Sequence, residues 1–230
     1  QGIMGGHFAE AQGFEKEVCQ SISEHYLPSG LDSKVPKNLY SITLSLSDKL
    51  DTLVGFFGLD LAPTGSKDPY ALRRFTIGLV RLVIENKLKI KLRSLINYSL
   101  TLYKEQGFEF DITKVLKELN DFILDRLKNY SKDKDIRFDI IESSVQSCDI
   151  DELYNGYKKA EILNKNIKKE LGRDVVEIYK RSSSILNREI YKNKLELSNT
   201  VDTGLFKSDF EKNLYRKIQE IKKYFVNFDK

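Results

Sequence analysis

Two histidines, His7 and His25, and an aspartate, Asp48, are the residues of this 230-residue chain on which a hydrolytic metal centre would draw. Imidazole and carboxylate together suit a divalent ion that activates water. His7 follows Gly5 and Gly6, His25 ends a helical stretch, and Asp48 opens the run DKLDTL. Metal-dependent hydrolases built this way also need an adjacent His-Asp pair, which this chain lacks. The expectation is therefore no metal ligand set and no catalytic residue. Other catalytic patterns are missing too. GSK at 65–67 lacks both the upstream glycine and the following Ser/Thr of a phosphate loop. No Cys-x-x-Cys or His-x-x-x-His spacing offers zinc, and neither Cys19 nor Cys148 has a neighbouring histidine to activate it.

The second chemistry-bearing set is basic. Net charge is +4, but residues 151–230 hold 18 Lys plus Arg against 13 Asp plus Glu, so the basic excess lies in the last third. On the helix expected after Arg173, Lys180, Arg181, Ser184, Asn187 and Arg188 share one face. Val175, Ile178, Tyr179, Ser182, Ile185 and Leu186 lie opposite and form the expected packing side. Cations mixed with hydrogen-bonding side chains suit a phosphate backbone. Lys158, Lys165, Lys168 and Lys169 extend the positive field, and Tyr179, Tyr191, Tyr215 and Tyr224 are of a type that stacks on unpaired bases. Candidate RNA contacts are Lys168, Lys169, Lys180, Arg181, Asn187 and Arg188. The alternative is a solvated lysine-rich surface with the tyrosines in a core.

These residues must be positioned by helices. Leu and Ile dominate a 40% hydrophobic composition that has no Trp and only four Pro, which points to an all-α fold. Apolar residues recur at helical spacing over 14–26, 38–57 and 69–86, then over 91–105, 112–131, 136–147, 152–171, 173–195 and 207–226. Leu39, Ile42, Leu46, Leu50, Leu53 and Phe57 define a buried stripe, with Asp48, Asp51 and Gly55 on another face. PTGSKDP at 63–69 reads as a turn in which Asp68 is the N-cap and Pro69 the first helical residue. The helix after it is apolar nearly all round, so Arg73, Arg74 and Arg81 need partners or an edge. Asp48 and Asp51 with Arg73 and Arg74 are expected to form a structural ion-pair motif rather than a catalytic one. No apolar run approaches the roughly 20 residues of a membrane span, so no membrane partner is expected. Two distant cysteines fit a reducing, cytoplasmic setting.

The run SDKLDTLVGFFGLDLAPTGSKDPYALRR at 47–74 resembles the beta subunit of the bacterial two-subunit glycyl-tRNA synthetase. So do QGIMGGHFA at 1–9, EHYLP at 24–28, ALRRFTIGLVRLVIE at 71–85, FILDRLKNYSKDKDIRFDIIESSV at 122–145 and EIYKRSSSILNRE at 177–189. The resemblance implies an HD-like helical domain over 1–90, a helical connector over 91–150 and the start of a DALR-like anticodon-binding domain over 151–230. It implies a partial subunit, opening at Gln1 inside a motif that begins Glu-Leu-Gln-Gly in the family. The implied function is to hold tRNA-Gly for glycylation by an alpha subunit in an α2β2 tetramer. ATP and Mg would be used by alpha, with no cofactor and no aminoacylation in this chain alone. An HD-type phosphohydrolase and a purely structural scaffold for alpha stay open as alternatives.

Overall fold

A computed structural model describes residues 2–146, 149–193 and 201–228. Among them lie ten α-helices and no β-strand, the all-α class expected. They are α1 (Gly2–Ala11), α2 (Lys16–Glu24), α3 (Leu39–Gly58), α4 (Leu72–Glu85), α5 (Leu92–Glu105), α6 (Ile112–Asp133), α7 (Phe138–Gln146), α8 (Leu153–Asn166), α9 (Glu170–Asn193) and α10 (Asp209–Phe228). The chain divides into two compact units, Gln1–Arg173 and Asp174–Lys230. The boundaries expected at 90 and 150 fall inside the first unit, where Leu50, Leu92, Leu127 and Leu153 share one buried apolar cluster.

Local chemistry sets the helix ends. The Asn38 side chain accepts from the Tyr40 N–H at 2.8 Å and starts α3; the Asp111 carboxylate accepts from the Lys114 N–H at 3.0 Å and starts α6. Gly107, at φ +89°, takes the left-handed conformation that closes the turn after α5. On α6, Val115, Leu119, Ile123 and Leu127 recur once per turn and are at most 2% exposed. Each such side chain stabilises the fold by about 1.5–3 kcal/mol.

Two expectations are corrected here. Helix α4 starts at Leu72 rather than Pro69, because Ala71 at φ 55° breaks the helical path. Asp68 still caps it from further back, its two carboxylate oxygens accepting from the Leu72 N–H at 2.8 Å and the Arg73 N–H at 3.0 Å. The segment between is a small hairpin, with Thr64 bridged to Lys67 and Tyr70 packed on Phe56 at 4.4 Å between ring centres. Residues 2–11, read only as a motif, form a helix. Gly2, Gly6 and Ala9 lie on its buried face, and α2 comes so close that a Cβ on Gly6 would stand 2.8 Å from the Cys19 carbonyl. Cys19 is buried in that contact, its thiol donating to the Phe14 carbonyl at 3.5 Å. Cys148 lies outside the described residues.

A close contact in the first unit joins α3, α4 and the loop after α2. Lys49 is 2% exposed, and its aliphatic chain crosses α4 where Gly78 leaves room. Its ammonium donates to Ser45 Oγ at 2.9 Å and to the Tyr26 and Leu27 carbonyls at 3.3 and 3.4 Å, 5.9 Å from the centre of the Phe75 ring. Among the described residues no carboxylate bonds to it, and burial pulls its pKa down to about 8, with Asp48 opposing. Next to it, Arg81 meets its need for a partner by pairing with Glu85 at 2.7 Å and donating to the Gly30 carbonyl at 2.5 Å.

The second unit holds most of α9, and α10. The expected packing side of α9 is not buried: Val175, Ile178, Tyr179 and Ile185 are all more than half exposed. Phe210, Leu214 and Ile221 on α10 are also exposed. A unit of so few helices lacks the layers needed to bury an apolar face on both.

Two outcomes follow at the α3–α4 contact. A Cβ on Gly78 would lie 2.5 Å from the Pro28 carbonyl oxygen and 2.6 Å from Lys49 Cε. The Gly78→Ala variant is expected to lose about 1–3 kcal/mol in urea unfolding despite better helix propensity. The Lys49 pKa is about 8 in the fold and 10.5 outside it. Below pH 8 both states are protonated, and the full cost of burying the charge is present. Between those values the unfolded chain binds more protons, so stability rises with pH. The parent should therefore gain up to about 3 kcal/mol on Lys49→Met across that window, read from paired urea titrations.

Candidate functional site

The cationic candidates are built by α9 and the turn before it. Lys180, Arg181, Ser184 and Arg188 lie one turn or less apart on a face of α9, and with Ile185 they line a shallow depression of about 380 Å³. Asn187 is exposed beside them, outside that depression, and Lys168 and Lys169 are exposed ahead of the helix. Several positive charges are partly offset. Arg181 pairs with Glu177 at 2.8 Å, and Glu161 takes both Lys158 at 2.5 Å and Lys165 at 3.1 Å. The Lys169 ammonium donates to Asn166 Oδ1 at 2.9 Å. Lys180 and Arg188 make no ion pair among the described residues. Of the tyrosines expected to stack on bases, Tyr179 and Tyr191 are exposed, whereas Tyr215 packs edge-on against Phe206 at 5.6 Å. The side chain of Tyr224 lies outside those described.

The histidine and aspartate set sits in the first unit and does not converge. His7 is on the exposed side of α1, 3.8 Å from Glu10. His25 closes α2, where its Nδ1–H donates to the Ile22 carbonyl at 2.6 Å, a tautomer fixed because a carbonyl only accepts. Among the described residues no three His, Cys, Asp or Glu side chains stand together as a metal site.

The expected ion-pair motif is not formed either. Asp48 and Asp51 lie on the side of α3 that meets α5, while Lys49 faces α4 and Phe56 the segment just before it. A step of one residue turns a helix by about 100°, so the two carboxylates point away from Arg73 and Arg74. The Arg73 guanidinium donates to the Gly65 carbonyl at 2.5 Å, and Arg74 is exposed. The Tyr103 phenol donates to the Asp51 backbone carbonyl at 3.2 Å, and burial together with the Asp51 carboxylate pushes its pKa up. Among the described residues Asp48 Oδ2 is buried with no hydrogen-bond partner.

Sequence reasoning missed the surroundings of Asp48. An apolar groove of about 630 Å³ runs between α3 and α5, with Asp48 and Asp51 in its wall and His25 at its edge. Leu39, expected in the buried stripe, is 72% exposed there. The available signal was Leu95, Tyr98 and Leu102 at helical spacing on α5, a second apolar ridge facing the first.

Comparison with known proteins adds a family to this geometry. A family model described as glycyl-tRNA synthetase beta subunit matches residues 1–146. The chain is similar to the glycine–tRNA ligase beta subunit of Rickettsia canadensis, 37% identical over 96% of this chain and 31% of the relative. It is also similar to those of Clostridioides difficile, at 34% over 96% and 31%, and Solidesulfovibrio magneticus, at 35% over 100% and 32%. The chain spans about a third of the length of these relatives.

Proposed function

Because this chain belongs to the glycyl-tRNA synthetase beta subunit family, we propose that it is a tRNA-binding portion of a two-subunit glycine–tRNA ligase. It holds tRNA-Gly while the alpha subunit attaches glycine in translation. In this reading alpha supplies the ATP- and Mg-dependent chemistry, two alpha and two beta chains assemble in the cytoplasm, and this chain alone does not aminoacylate. The observation that carries the RNA role is the α9 face, where Lys180, Arg181, Ser184 and Arg188 are exposed together. Phosphates are met by such a surface through salt-dependent charge neutralisation, and Tyr179 and Tyr191 are open to base stacking on the same helix. A second reading, a scaffold that docks alpha and never touches RNA, is favoured by the exposed groove between α3 and α5.

Fluorescence anisotropy of the chain with tRNA-Gly and an unrelated tRNA, across a salt series, separates the two. Reversing Lys180, Arg181 and Arg188 to Glu is expected to weaken tRNA-Gly binding at least about tenfold and to flatten the salt slope by about two to three. Circular dichroism checks that α9 remains helical. Unchanged affinity and slope would leave the scaffold reading standing.

A further inference from the structure

The groove between α3 and α5 has the form of a protein-docking site with a definite chemistry. Its walls are two apolar ridges at helical spacing, Leu39, Ile42 and Leu46 on α3 and Leu95, Tyr98 and Leu102 on α5. Ridges so spaced leave a channel that accepts the apolar stripe of a third helix. Tyr98 is 65% exposed and Leu95 38%, so this surface is open within the described residues.

Charge selects the occupant. Among the described residues the groove is lined by the carboxylates of Asp48 and Asp51 and by His25 and Tyr98, with no Lys or Arg, although the chain as a whole carries +4. Such a wall repels a phosphate backbone, so the groove is not an extension of the RNA surface. Asp48 is half-buried among the apolar side chains of the wall while Asp51 is exposed, so the Asp48 charge is the less screened of the two. An ammonium or guanidinium group brings several donors and offsets that carboxylate.

We propose that this groove binds an amphipathic helix of a protein partner, one that carries a lysine or arginine beside its apolar stripe and places that cation beside Asp48. The inference is independent of the RNA reading, because it concerns a different unit of the chain and a different partner class.

The probe is a synthetic helical peptide of about 15 residues with leucines at i, i+4, i+7 and i+11 and one lysine flanking them. Matched peptides carry glutamate or norleucine in place of the lysine. Anisotropy with the 230-residue chain is expected to show the lysine peptide binding at least about tenfold more tightly than the glutamate peptide. That preference should vanish in Asp48→Asn, which keeps the shape, while Tyr98→Ala weakens all three peptides. Lysine and glutamate peptides binding alike, a preference that survives Asp48→Asn, or no binding up to about millimolar peptide would each overturn the proposal. So would displacement of the lysine peptide by tRNA.

Discussion

Much of the first unit depends on a lysine buried without a bonded carboxylate among the described residues. Lys49 joins three pieces of chain that are distant in sequence: its own helix, the carbonyls of Tyr26 and Leu27, and the face of Phe75. Three backbone or hydroxyl oxygens and an aromatic ring replace its water shell, which offsets only part of the desolvation. What makes the arrangement possible is the bare backbone at Gly78, where α4 comes near enough for the lysine stem and the Pro28 carbonyl to close over it. Ser45 strengthens the same corner, its hydroxyl donating to the Leu27 carbonyl. With α4 fixed on α3, its other sides carry Leu79, Val80 and Val83 into the core that α6 completes.

Much of this was legible in the sequence, and the parts that were not share a physical cause. Helix periodicity locates α2 to α10 because each buries or displays an apolar stripe at regular spacing. It missed α1, since Gly2, Gly5 and Gly6 argue against a helix unless a neighbour needs close approach. The recurrence of small residues at 2, 6 and 9 was the available clue, and its meaning depended on α2 packing there. Asp68 was identified as a cap, but not the left-handed Ala71 that lets it cap from a distance. The acidic pair on α3 was matched to the arginines of α4 on type and proximity in sequence. Helical phase governs instead, and it sends Asp48 and Asp51 towards α5.

The cationic surface was the more readable feature, because side-chain phase along one helix needs no tertiary information. Lys180, Arg181 and Arg188 stand together as their spacing requires. Less readable was how much of the charge is already engaged. Glu161 holds two lysines on α8 and Glu177 holds Arg181 on α9, so less positive charge is free on either helix than a count of basic residues implies. The apolar stripe behind that face stays uncovered among the described residues, which periodicity alone reads as core.

Two glycines on α3 are each pressed against an aromatic ring. A Cβ on Gly55 would stand 2.4 Å from the Tyr103 hydroxyl, and one on Gly58 would stand 2.4 Å from the Phe110 ring. Neither position can enlarge unless the ring opposite shrinks or withdraws. Residues 55 with 103 and 58 with 110 are therefore matched in size, the bare backbone of one being filled by the ring of the other. The close seating of α5 and of the segment after it on α3 is set pair by pair, not residue by residue.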